Sequence, residues 1–134
     1  MLVLLAALAF PLLAMTSTTC ADPAIVGARA STVGNNGSII TYDVAVTVEN
    51  VGRGAEPSSL LQSVAVYQDA TKVGQVGTPP LRPGGRATIH YRFQRSAQGR
   101  PGSTHLRFAL VLSNPHGLPV TDCSTANDTY RIDV

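Results

Sequence analysis

Ile40-Thr41-Tyr42-Asp43-Val44-Ala45-Val46-Thr47-Val48-Glu49-Asn50 is the most regular stretch of this chain. Ile40, Tyr42, Val44, Val46 and Val48 fall on one side of an extended backbone; Thr41, Asp43, Thr47 and Glu49 fall on the other. Side chains of a strand alternate between faces, so this is a strand with one buried side. Asn50-Val51-Gly52-Arg53-Gly54 ends it with turn-forming residues. Upstream, Asn35-Asn36-Gly37-Ser38 is a turn, and Val26, Ala28 and Ala30 share the inner face of a first strand. Downstream, a third strand runs from Leu60 to Asp69 with Val64 and Val66 on one side, and a short fourth covers 72–76. Pro79, Pro80 and Pro83 lack amide donors, so 78–85 is a connection.

The same alternation returns three more times. Ala87, Ile89, Tyr91 and Phe93 oppose Thr88, His90, Arg92 and Gln94. Leu106, Phe108, Leu110 and Leu112 form another inward face, as do Tyr130, Ile132 and Val134. Residues 96–102 and the Asn114 to Pro119 segment are loops between them. No long segment after Met15 carries helical spacing. A single sheet would leave one apolar face of every strand in water. Two sheets closing over these stripes are therefore expected: an all-β, antiparallel sandwich of about seven strands. The 134 residues suffice for one such domain, and 13% charged residues at a net charge of +2 exclude a highly charged disordered chain.

Residues 1–15 are uncharged and almost wholly apolar, then give way to Thr16, Ser17, Thr18 and Thr19. The run is shorter than the roughly 20 apolar residues of a membrane-spanning helix. It reads as the helical core of a signal peptide. The expected organisation is a signal peptide at 1–21 and a sandwich domain at 22–134, with no transmembrane span in the mature chain and a secreted, periplasmic or cell-envelope location. Cuts after Ala14 or Thr18 are alternatives. Cys20 and Cys123 are the two cysteines. Export permits a disulfide between them; removal of Cys20 with the leader, or its lipidation, would leave Cys123 alone.

Val46-Thr47-Val48-Glu49-Asn50-Val51-Gly52 resembles the V-x-V-x-N-x-G strand end of CARDB-type domains, bacterial cell-adhesion-related modules of immunoglobulin-like fold. Leu81-Arg82-Pro83-Gly84-Gly85-Arg86-Ala87-Thr88-Ile89 is similar to that family's L-x-x-G segment, and Asn127-Asp128-Thr129-Tyr130 to its asparagine-rich close, with Asp128 where the pattern has a second asparagine. The resemblance covers residues 25–134. It implies an immunoglobulin-like sandwich whose first strand pairs in parallel with its last, which would bring Cys20 near Cys123. Asn50, Gly52, Gly84 and Gly85 are expected to adopt the left-handed backbone of tight turns. Asn127 is expected to bond local backbone groups.

Groups suited to covalent chemistry are sparse. His90 and His105 take outward positions, His116 lies in a loop, and no zinc or copper spacing is present. Asp122, Asp128 and Asp133 lack the spacing of an EF-hand loop. No serine sits in a nucleophile elbow and no Gly-rich loop precedes a helix. No enzyme activity, cofactor or metal is expected. Trp is absent, Tyr42, Tyr91 and Tyr130 face inward, and Tyr67 alone remains as an outward aromatic, so a sugar-stacking platform is disfavoured. From Ala70 to Thr121 there is no acidic residue, while Arg86, His90 and Arg92 share one face of a strand. That basic row is the candidate surface for an anionic envelope glycan or polymer. The expected function is a secreted or envelope-associated binding or adhesion module. Its partner is an unknown protein or such a polymer, and not nucleic acid, for which aromatic interleaving is lacking. The alternative is a lipid-anchored envelope structural protein with the same basic face.

Overall fold

The structure, a computed structural model, describes residues 19–117, 120 and 122–134. The expected signal-peptide helix, and Leu118 and Pro119 of the predicted turn, lie outside the described residues. Among the described residues are seven strands and no helix: β1 (Pro23–Asn35), β2 (Ile39–Asn50), β3 (Leu61–Gln68), β4 (Thr71–Thr78), β5 (Arg86–Ser96), β6 (His105–Ser113) and β7 (Thr129–Asp133). They form a three-stranded sheet, β1-β2-β5, facing a four-stranded sheet, β4-β3-β6-β7. Every ladder is antiparallel.

The alternating apolar positions meet between the sheets as the sequence pattern requires. Val44, Val46 and Val48 of β2 face Val64 and Val66 of β3 and Leu106 and Phe108 of β6 in one cluster. Ile89 and Phe93 join from β5, and Tyr42, Tyr91, Tyr130 and Ile132 pack around the margin. Complete burial of an aliphatic or aromatic side chain of this size stabilises by roughly 1.5–3 kcal/mol, so this cluster is the main source of stability. Burying it demands both sheets, which is why the elements cannot stand alone.

The first strand departs from the expected pattern. Ile25 pairs with Val48 and Gly27 with Thr47, leaving Val26 as an unpaired bulge residue on the outside. The extra residue shifts the alternation by one, so Ile25 is buried and Ala28 and Ala30 follow it inward. The expected parallel pairing of first and last strands is also corrected. β1 is an edge of one sheet and β7 an edge of the other. They meet across the side of the sandwich, where the Ile25 amide donates to the Asn127 carbonyl at 3.0 Å.

Candidate functional site

One end of the sandwich is fastened by a polar hub at the close of β2. Asn50 continues the inward parity of Val44, Val46 and Val48 and is wholly buried. Its Oδ1 accepts from the amides of Asp22 and Gly52, each at 3.0 Å. Its Nδ2 donates to the carbonyls of Gly54 (2.8 Å) and Leu81 (3.0 Å). Four bonds exhaust the side chain's capacity, as burial demands. They tie together the N-terminal segment, the β2 exit and the β4–β5 connection. Asn50 and Gly52 therefore do not serve as left-handed turn residues. A Cβ on Gly52 would lie 2.6 Å from the Asp22 amide nitrogen, so glycine is required there by close backbone packing. Gly84 does adopt positive φ (73°), but Gly85 does not; its constraint is the nearby Arg82 carbonyl.

Glu56 extends this lock. Its Oε2 accepts from the Leu81 amide at 2.8 Å. Gln62, oriented by its hydrogen-bond network, donates to Glu56 Oε1 and accepts from Thr78 Oγ1, both at 2.8 Å. Burial raises the Glu56 pKa; the Leu81 amide opposes the rise and the nearby Asp122 adds to it. Glu56 carried no pattern by which the sequence could reveal it. Asn50 did, through its inward parity.

Cys20 and Cys123 are disulfide-bonded, with Cα atoms 5.8 Å apart across a sequence separation of 103. The Cys123 amide donates to the Ala21 carbonyl at 3.0 Å and the Gly54 amide to the Cys20 carbonyl at 3.0 Å. Ala21 is buried. The expected boundary after Ala21 would remove Cys20, so that boundary and this bridge exclude each other.

Beside the bridge lies a carboxylate group that chain order conceals: Asp22, Asp122 and Asp128. Asn127 reaches across to it, its Nδ2 donating to Asp22 Oδ1 at 3.0 Å rather than to local backbone. Asp122 and Asp128 lie close enough for each to perturb the other's ionisation. Asp122 Oδ2, Asn127 Oδ1 and Asp128 Oδ1 are buried without a partner among the described residues. Burial, then the negative charge of the nearby Asp122, push the Asp128 pKa up to about 7; burial also raises that of Asp122. Desolvation and neighbouring negative charge thus favour the protonated form of these carboxyls.

The basic row on β5 is exposed as expected, but β2 supplies it with acids. Arg86 Nε donates to Glu49 Oε1 at 3.1 Å, and His90 Nδ1 is 2.8 Å from Asp43 Oδ2. Arg92 stands directly across from Asp43 in the β2–β5 register. Charge on the outer side of the three-stranded sheet is therefore largely balanced strand against strand.

The outer side of the four-stranded sheet is arranged differently. Its cross-strand register places Tyr67, Arg107 and Arg131 in one row over β3, β6 and β7. The Arg107 guanidinium lies over the Tyr67 ring, 4.1 Å from its centroid. One step along, His105 Nδ1 is 2.6 Å from Asp133 Oδ1, and that hydrogen bond raises the His105 pKa. The β3–β4 hairpin turns through Asp69 and Ala70, both at positive φ, and is pinned by the Asp69 amide to the His105 carbonyl at 3.0 Å. These residues border an open concavity of about 490 Å³. Sequence parity marks Arg107 and Arg131 as outward; only the register makes them neighbours.

The fold is shared with a known structure. The CARDB domain of a Pyrococcus furiosus protein, solved in complex with di-metal ions, superposes with a TM-score of 0.58 over 85% of this chain and 86% of that one, at 17% identity. A protein from Archaeoglobus fulgidus aligns over 82% of this chain and 97% of its own at 13% identity, with a TM-score of 0.33. No protein-family model and no curated protein matches the sequence. The likeness establishes a CARDB-like immunoglobulin-type sandwich.

Proposed function

We propose that the chain is an exported, non-catalytic binding module of the secreted or cell-envelope compartment, with adhesion as its general class of activity. The observation that carries this reading is the Cys20–Cys123 bridge. It closes almost the whole domain, is joined to the fold through Ala21 and Gly54, and belongs to an oxidising compartment. Polar groups with unusual environments support the non-catalytic part. Asn50 and Glu56 are engaged with backbone and neighbouring side chains that hold loops in place. The Pyrococcus domain was solved with di-metal ions. Among the described residues of this chain no group of three or more His, Cys, Asp or Glu side chains is arranged to hold a metal, and this reading assigns no role to one.

The bridge also bears on the leader. We place the cut before Cys20, after Ala14 or Thr18, because a later cut removes half of the bridge. The lipid-anchored alternative requires a free Cys20 thiol and loses its support for the same reason. The test is intact-mass and N-terminal peptide analysis of protein recovered from medium and envelope fractions, alkylated before reduction. A leader-free chain that retains Cys20 and resists alkylation is expected. A cytoplasmic chain with both thiols alkylated, or a mature chain beginning at Asp22, overturns the reading.

A further inference from the structure

We infer that the Tyr67–Arg107–Arg131 row is an anion site, built to hold the carboxylate of an acidic, uronate-bearing glycan chain. The inference rests on the binding-module reading and gives it a location and a ligand class. Arg107 and Arg131 are directly opposed across the β6–β7 ladder. Like charges in that position repel. Neither guanidinium has a hydrogen-bond or ion-pair partner among the described residues. The neighbouring cations are already engaged: Lys72 bonds Gln75 at 2.6 Å, and His105 is held by Asp133. The Tyr67 ring orients Arg107 before any ligand arrives. An oxyanion between the two forks would replace repulsion with a charge-assisted clamp, and planar guanidinium suits planar carboxylate.

The surroundings narrow the ligand. Asp69 and Asp133 border the same concavity. They disfavour a densely charged polyanion, yet their oxygens are acceptors for hydroxyl groups. A polymer with one carboxylate per sugar and hydroxyls between meets both conditions. The ligand is then recognised through its acid group, consistent with a tyrosine face that is already covered by Arg107. The contrast with β5 is physical: Arg86 and His90 would have to leave Glu49 and Asp43 to bind an anion, whereas Arg107 and Arg131 release nothing.

The experiment is calorimetric and NMR titration of the disulfide-intact protein with tetragalacturonate at low salt. Maltotetraose, inorganic phosphate and a sulfated oligosaccharide serve as comparison probes. Binding of tetragalacturonate that shifts Tyr67, Arg107 and Arg131 resonances is expected, with no response to maltotetraose. Arg131→Gln should weaken it about tenfold, the loss of a charge-assisted hydrogen bond. Arg107→Lys, which keeps the charge but not the fork, should also weaken it. The pair Arg86→Gln/Arg92→Gln should leave affinity within about twofold, since only long-range attraction changes. Arg131 is exposed, so its variant tests the site even if changes at Arg107 disturb folding. No binding, unchanged affinity in Arg131→Gln, greater loss in the β5 pair, or preference for phosphate or the sulfated probe overturns the inference. The two failures are separable. An exported, bridged protein indifferent to uronate sinks the site alone; a cytoplasmic, reduced protein sinks the export reading whatever the titration shows.

Discussion

Asn50 and Arg131 are both polar residues on strands of one sandwich, and their circumstances are opposite. Asn50 is buried at the fastened end, with all four hydrogen-bonding positions occupied by backbone groups of three segments. Arg131 stands exposed on the outer side of the four-stranded sheet with no partner among the described residues and Arg107 directly across. Buried polar groups are fully bonded because an unmade bond there costs the whole desolvation penalty. At a wet surface no such penalty applies, so an unpaired group is free to meet a ligand. On the proposed reading the fastened end governs stability and the sheet face recognition, and changes at one should barely register in the other.

The largest effect should follow removal of the bridge. Cys123→Ser is expected to destabilise by roughly 4–5 kcal/mol, the chain-entropy value for a closed loop of about 100 residues. Urea unfolding of oxidised protein and variant measures it, and a difference under about 1 kcal/mol would show that the fastened end holds without the bridge. Asn50→Ala comes next. It strips partners from two amides and two carbonyls, three of the four bonds being only part-buried, so about 1 kcal/mol for each gives a loss of roughly 4 kcal/mol. Stability unchanged within experimental error would remove Asn50 from the centre of the argument.

The carboxyl pair should produce a smaller, pH-dependent effect. Asp128 titrates near 7 in the fold against an ordinary value near 4, so the folded state binds more protons between those values. The stabilising contribution is complete below about pH 4 and is lost as pH rises through about 7. Asp128→Asn should flatten this slope in melts taken across that window; an unaltered slope would mean that Asp128 does not take up a proton there on folding. Smallest of all is Arg131→Gln. An exposed residue with no partner should change stability by less than about 0.5 kcal/mol, while ligand binding falls. A variant that unfolds instead would erase the distinction between the two regions.

Much of this was legible along the chain, and the exceptions have a common origin. The stripes of β2, β5, β6 and β7 were readable because alternation is local. The β1 bulge was not, since Val26 looks inward by parity until the Ile25–Val48 and Gly27–Thr47 pairings place an extra residue between them. The β5 row read as free basic charge because Glu49 and Asp43 lie more than thirty positions away in the chain. Asn50 showed its inward parity, but its partners Asp22 and Leu81 are also remote, 28 and 31 positions away.

By itself the sequence determined the class of architecture, the inward and outward faces of most strands and the presence of two cysteines able to pair. Those are consequences of backbone pleat and side-chain polarity, which act between near neighbours. Only the tertiary structure decided that β1 and β7 belong to different sheets, that Cys20 joins Cys123, that Arg86 has an acid beside it and that Arg107 has another arginine. Cross-strand register sets those neighbours, and register comes from closing two sheets over one core.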